Sequence, residues 1–122
     1  MSIFALAAAV VLGTSALSQG EPAAGGDDVA YAELSAGQPQ EAVRKLEAGG
    51  APRSDDPAVL INLGAAYARA GQADKALAAY RAAVATPVRY DLELADGTWV
   101  DSRIAARQAL RNMLAASAVA AR

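Results

Sequence analysis

The 122-residue chain contains no cysteine and no histidine, and only 5% of its residues are aromatic. Without cysteine there are no disulfides and no thiolate nucleophile. Without histidine the commonest general base is missing, and the two absences together remove the usual zinc and haem ligands. Carboxylates and hydroxyls are the only catalytic groups left, so the composition points away from an enzyme and calls for no metal or cofactor. A charge excess of one sign is also lacking: 11 Lys+Arg stand against 13 Asp+Glu, a net charge of −2. Nucleic-acid binders normally present a basic surface to the phosphates, so no nucleic-acid partner is expected. The length suits one small domain.

Long hydrophobic runs are missing as well. An unbroken apolar or small stretch near the start, Ile3 to Leu12, falls short of the roughly 20 residues that a membrane-spanning helix needs. It is followed by Gly13-Thr14-Ser15 and the small-residue segment Ala16-Leu17-Ser18, so residues 1–18 read as a secretory signal peptide cleaved near Ser18. No Lys or Arg precedes the run, and the alternative is an uncleaved N-terminal helix that is buried or interfacial. No cysteine follows to carry a lipid anchor. A cysteine-free exported chain suits a bacterial periplasm better than a disulfide-stapled secreted module, which makes the expected location periplasmic or secreted. Residues 19–26 (QGEPAAGG) have nothing to bury and read as a disordered linker. The folded domain is expected over residues 27–122.

The strongest pattern lies in the centre. Leu60, Leu63, Gly64 and Tyr67 recur at i, i+3, i+4, i+7 and share one helical face. Asp56 can cap that helix, Pro57 suits its first turn, and Gly71 supplies a left-handed stop. A second helix follows from about Ala73, with Ala76, Tyr80, Ala83 and Val84 on one face. It ends where Pro87 disfavours helical geometry at Thr86. The result is a helical hairpin, in which Gly64 facing Ala76 and Ala83 lets the backbones approach while Tyr67 and Tyr80 fill the remaining space.

Residues 55–87 resemble a tetratricopeptide repeat, a 34-residue helix–turn–helix unit, through Leu60, Leu63, Gly64, Tyr67, Ala76, Tyr80, Ala83 and Pro87. Leu60 stands where the family usually has Trp, and Pro87 comes one residue early. The resemblance implies an all-α fold: a short array of helical hairpins with a concave surface that receives a protein or peptide. Self-comparison at the same period aligns Gly37, Gln38, Ala42, Val43 and Leu46 with Gly71, Gln72, Ala76, Leu77 and Tyr80. Residues 27–50 therefore read as a degenerate earlier repeat. Its helices are expected over Asp28–Ala36 and Pro39–Glu47, with a turn at Ala51–Asp56; Glu33 replaces the tyrosine of the clear repeat. An Ala-rich helical pair that mimics the motif by composition is the alternative.

After Pro87 the period changes. Tyr90, Leu92 and Leu94 alternate with Asp91 and Glu93, Ala95-Asp96-Gly97 makes a turn, and Thr98-Trp99-Val100 is extended again. Residues 88–100 thus read as a small β-hairpin inserted in the array. Either Tyr90, Trp99 and the leucines cover the open end of the array, or Trp99 belongs to a recognition loop. Asp101 offers an N-cap, and residues 101–121 read as a capping helix over Ser102–Ala120 with Ala106, Ala109, Leu110, Met113 and Leu114 toward the core. It should pack on the helix from Ala73 to Ala85, leaving Ile104 and Val119 as remnants of a weak self-association face.

Charge is uneven along the chain. Gln19–Asp56 holds 3 basic and 8 acidic residues, Pro57–Val100 holds 4 of each, and Asp101–Arg122 holds 4 basic and 1 acidic. Arg103, Arg107 and Arg111 recur every four residues and could grip an acidic peptide, or could pair with Asp91, Glu93 and Asp96 just upstream. Some tetratricopeptide domains hold a partner's C-terminal carboxylate with an Asn on one first helix and a basic pair on the next. The resemblance would give those roles to Asn62, Arg103 and Arg107, whereas Asp27 and Tyr31 stand where such a clamp wants Lys and Asn. With Arg69 added and Ala58 and Ala65 keeping a groove open, the candidate partner-binding set is Asn62, Arg69, Arg103, Arg107, Arg111 and Trp99. The expected function is a noncatalytic interaction module of the periplasm. The alternatives are a self-associating structural protein, or an accessory subunit of an envelope complex. The carboxylates of Asp91, Glu93 and Asp101 are the only catalytic candidates, and strand alternation and helix capping account for them.

Overall fold

A computed structural model describes residues 37–94 and 96–120. The expected signal peptide, the linker, the helix over Asp28–Ala36 with Glu33, and Asp27, Tyr31, Ala95 and Arg122 lie outside the described residues. Among those described there are four α-helices and one two-stranded antiparallel sheet: α1 Pro39–Ala48, α2 Pro57–Arg69, α3 Ala73–Ala85, β1 Asp91–Glu93, β2 Trp99–Asp101 and α4 Ser102–Ala120. No helix among them is long and apolar enough to cross a membrane.

Local signals set the element limits. Asp56 Oδ1 accepts the Ala58 N–H at 3.0 Å, and Pro57 opens α2 at a position whose N–H would be unpaired in any case. The helix closes in a Schellman motif: the Gln72 N–H reaches the Tyr67 carbonyl at 2.8 Å and the Gly71 N–H reaches Ala68 at 3.2 Å, with Gly71 at φ 82°. α3 ends at Thr86, which is extended ahead of Pro87. α1 runs one residue past the expected Glu47 before Gly49 and Gly50 end it, and Ala51–Arg53 forms a 3-10 turn.

The 34-residue offset recurs in the backbone. Gly37 has φ 77° where Gly71 has 82°. Gln38 and Gln72 then enter α1 and α3 with φ/ψ of −117°/67° and −101°/72°, neither with a side-chain cap. Ala42 and Ala76 are both fully buried, and Leu46 and Tyr80 both enter the core. A shared glycine position thus produces the same entry geometry and the same buried face twice.

α2 is the centre of the core. Pro57, Ala58 and every residue from Leu60 to Tyr67 are buried, while α1, α3 and α4 all pack against it, α3 most extensively. Gly64 and the alanines of α2 make this possible, because small side chains admit neighbours on every side. The expected open groove along Ala58, Asn62 and Ala65 is corrected accordingly: all three are buried.

α4 packs chiefly on α3, as expected. Ala106 is fully buried and Ala109, Leu110 and Met113 lie half-buried against the core, whereas Leu114 is exposed. Leu114 follows Leu110 by four residues on nearly the same side, but it lies where α4 runs past its packing partners: Ala115, Ala116, Ala118 and Val119 are exposed as well. The hairpin pairs Asp91 with Asp101, Leu92 with Val100 and Glu93 with Trp99. Its strands are shorter than expected at the β1 end and extend one residue further at Asp101. Asp101 then caps α4 by accepting the Arg103 N–H at 2.9 Å and the Ile104 N–H at 3.2 Å.

Candidate functional site

Seven of the eight positions that carry the resemblance form the interior of the α2–α3 hairpin. Leu60, Leu63, Tyr67, Ala76, Tyr80 and Ala83 are buried, Gly64 meets the Tyr80 ring, and Pro87 is exposed just beyond the end of α3. Burial pushes the Tyr80 phenol up to about 12, opposed by the nearby positive charge of Arg69. Tyr67 is also pushed up to about 12, by burial first and then by the 2.6 Å hydrogen bond it donates to Glu47 and the negative charge of that carboxylate. Lys75 Nζ stands 5.7 Å from the Tyr67 ring centroid. The core tyrosines therefore hold α1, α2 and α3 together and leave nothing at the surface for a ligand.

The six expected binding residues do not form one site. Asn62 is 0% exposed and lies in the core, so a peptide amide or carboxylate at the surface does not meet it. Arg69 is half-buried at the end of α2, beside Tyr80. Arg103 is turned inward: its Nη2 donates to the Thr86 carbonyl at 2.7 Å, at the C-terminus of α3 where a cation is favoured. Thr86 Oγ1 in turn donates to the Asp55 carbonyl at 2.7 Å. Arg107 and Arg111 are exposed, one turn apart on α4, with Arg111 Nη2 donating to Gln108 Oε1 at 2.9 Å.

Pairing of the α4 arginines with the hairpin acids is also corrected. Among the described residues Arg89 takes the ion pair with this region, Nε to Asp101 Oδ2 at 2.8 Å, and none of Asp91, Glu93 and Asp96 bridges an α4 arginine. The Arg89 contact holds the Asp101 carboxyl below its ordinary range, and a hydrogen bond from Thr98 does the same for Asp96. Arg89 lies two residues before Asp91 and so shares its strand parity, a signal that the sequence carries. Tyr90 donates to Asp56 Oδ1 and, through its N–H, to Ser102 Oγ at 3.1 Å. These contacts tie the hairpin to the start of both α2 and α4.

Trp99 does not pack on the core. Leu92, which is fully buried, and the half-buried Tyr90 do so, while Trp99 on the opposite sheet face is 63% exposed. No group of three or more acidic, cysteine or histidine side chains with metal-binding geometry occurs among the described residues. Of the six expected binding residues, those exposed are Arg107 and Arg111 on α4 and Trp99 on the outward face of the hairpin. Comparison with family models, curated proteins and solved structures finds no match for this chain.

Proposed function

We propose that this chain is a noncatalytic interaction module of the tetratricopeptide kind. In this reading it acts in the periplasm or after secretion, and it binds an acidic segment or a C-terminal carboxylate of a protein partner along the outer edge of α4. The repeat reading is supported by the matching geometry at Gly37–Gln38 and Gly71–Gln72 and by the buried pairs Ala42/Ala76 and Leu46/Tyr80. The export reading rests on the sequence of residues 1–18 alone, and an N-terminus near Gln19 in protein recovered from the cell envelope is its test.

One observation carries the binding reading. Arg107 and Arg111 are exposed one helical turn apart, whereas Asn62 is buried and Arg103 is engaged with Thr86. Binding is thus assigned to the outer side of the terminal helix and not to a groove along α2. Two guanidinium groups about 6 Å apart along the axis suit the two oxygens of one carboxylate or two neighbouring acidic side chains. Hydrogen bonds to charged groups contribute about 1.5 to 3 kcal/mol each, so removing both arginines should weaken binding at least about tenfold. The test is to recover a partner by cross-linking from a photoreactive residue at position 108. Its acidic segment is then titrated against the unaltered chain and the Arg107→Ala/Arg111→Ala variant, in low and high salt. An affinity indifferent to both the substitutions and the salt overturns this reading.

A further inference from the structure

The cross-strand register puts Glu93 opposite Trp99 and Asp91 opposite Asp101. Directly opposed residues in an antiparallel pair project to the same face, so these four side chains share the face that looks away from the buried Leu92. Arg89 takes Asp101, and the face keeps an excess of negative charge around an indole that is 63% exposed. Asp101 carries this face straight into α4, because the same carboxylate accepts the backbone N–H groups of Arg103 and Ile104. Ile104 is 52% exposed there, and Arg107 and Arg111 follow it at i+3 and i+7 on the same side of the helix. In chain order the exposed features are thus an acidic hairpin face bearing Trp99, the apolar Ile104 next to the Asp101 cap, and the basic pair Arg107 and Arg111 on the side of α4 that Ile104 shares.

Such an arrangement is complementary to itself after a half-turn, with the acidic face meeting the basic pair and Ile104 meeting Ile104. We infer that two copies of this chain pair through it. Ile104 lies near the two-fold axis, and Arg107 and Arg111 of each copy lie over Trp99, Glu93 and Asp91 of the other. The spacing agrees. Residues i and i+2 on a strand are about 6.6 to 6.8 Å apart, and residues i and i+4 on a helix rise about 6 Å. Tryptophan is the best aromatic face for a guanidinium. An isologous contact of this kind closes on itself, so it yields a dimer and not a filament. A small contact held largely by charge is weak and fades with salt. It also occupies the arginines that an acidic partner would use, so partner and second copy compete. Dimerisation itself requires no external partner, which separates its failure from failure of the binding reading.

The test is the mass of the purified full-length chain by sedimentation equilibrium across a concentration series, at low salt and at 1 M salt. The expected result is a monomer–dimer equilibrium that shifts to monomer at high salt. Trp99→Ala should weaken pairing at least about tenfold, since each loss counts twice across a two-fold. Asp91→Arg/Glu93→Arg and Arg107→Glu/Arg111→Glu should each be monomeric alone and should pair when mixed, because both contacts are then of opposite sign. The control Arg53→Glu/Arg81→Glu makes the same charge change at exposed sites elsewhere and should pair with itself as the unaltered chain does. Helical circular dichroism reports whether each variant is folded; if a reversal variant is not, Trp99→Ala at its exposed position decides. A chain that is monomeric throughout at low salt overturns the inference and leaves the face to a different partner. A mass that grows but ignores Trp99→Ala and the reversals overturns it equally.

Discussion

The ring of Tyr80 fills the space that a side chain at position 64 would need: a Cβ on Gly64 would stand 2.6 Å from Tyr80 Cδ1 and 2.9 Å from Cζ. Tyr80 is buried, so the ring has no solvent to swing into. Gly64→Ala gains about 1 kcal/mol in helix propensity, and overpacking a core costs about 1 to 3 kcal/mol. With so close an approach the clash wins, and the expected outcome is a net loss of roughly 1 to 2 kcal/mol, larger for Gly64→Leu. Adding Tyr80→Leu to Gly64→Ala should recover part of it, because the two positions are coupled. Denaturant midpoints check this. A midpoint raised by Gly64→Ala would mean that α2 and α3 are not packed through this contact.

The three α4 arginines should separate into one structural residue and two surface residues. Arg103 Nη2 holds the Thr86 carbonyl at 2.7 Å, although its Nε is buried without a partner and subtracts from the benefit. Arg103→Ala should cost about 1 to 2 kcal/mol, below the upper end for a charged hydrogen bond. Arg103→Met keeps the apolar stem and should recover the packing share of that loss. Arg107→Ala/Arg111→Ala should stay within about 0.5 kcal/mol of the parent, as exposed substitutions usually do. Thermal melts of the three variants decide, and equal losses would contradict the inward placement of Arg103.

What could be read in advance was whatever is local along the chain. Asp56, Pro57, Gly71, Pro87 and Asp101 act on backbone within a few residues of themselves, and each stands where its chemistry places it. The buried face of α2 and α3 was legible for the same reason, since period alone puts Leu60, Leu63, Gly64 and Tyr67 together. Side-chain partners were not. Tyr67 and Glu47 are 20 residues apart, Tyr90 and Asp56 are 34 apart, and Arg103 and Thr86 are 17 apart. No spacing rule connects such pairs, because the fold alone brings them together. The burial of Asn62 escapes the sequence for a related reason: helical periodicity says which residues share a side of α2, but not that helices pack on more than one side.

Asp56 joins a helix cap to the hairpin, since its Oδ1 accepts both the Ala58 N–H and the Tyr90 hydroxyl. Asp56→Ala should cost about 1 to 2 kcal/mol from the cap alone, and more once Tyr90 loses its acceptor. Tyr90→Phe should cost roughly 1 kcal/mol, and the double variant should cost less than the two losses added, because they share one bond. Hydrogen exchange in β1 and β2 gives a second readout, with faster exchange expected in both single variants. Strict additivity would show that the hairpin is not anchored through this pair.

High pH should unfold the protein through its two core phenols. In the unfolded chain a tyrosine ionises near 10. In the fold Tyr67 and Tyr80 are each pushed up to about 12, chiefly because burial disfavours the phenolate; at Tyr67 the hydrogen bond to Glu47 and the charge of that carboxylate add to the shift. Below about 10 both states keep their protons, and the stabilisation is fully present. Between about 10 and 12 the unfolded chain releases protons that the folded one retains, so stability falls as the pH rises; above about 12 this contribution is gone. Denaturant midpoints should therefore be flat up to about pH 10 and drop steeply beyond it, with phenolate absorbance rising alongside the loss of helix. Tyr67→Phe removes one of the two ionisations and should make the drop shallower. Glu47→Gln removes the charge beside Tyr67 but leaves an amide oxygen that can accept its hydroxyl, and it should soften the drop less than Tyr67→Phe does. A midpoint that holds steady through pH 12 would place both rings in contact with water and sink the packing described for α1, α2 and α3.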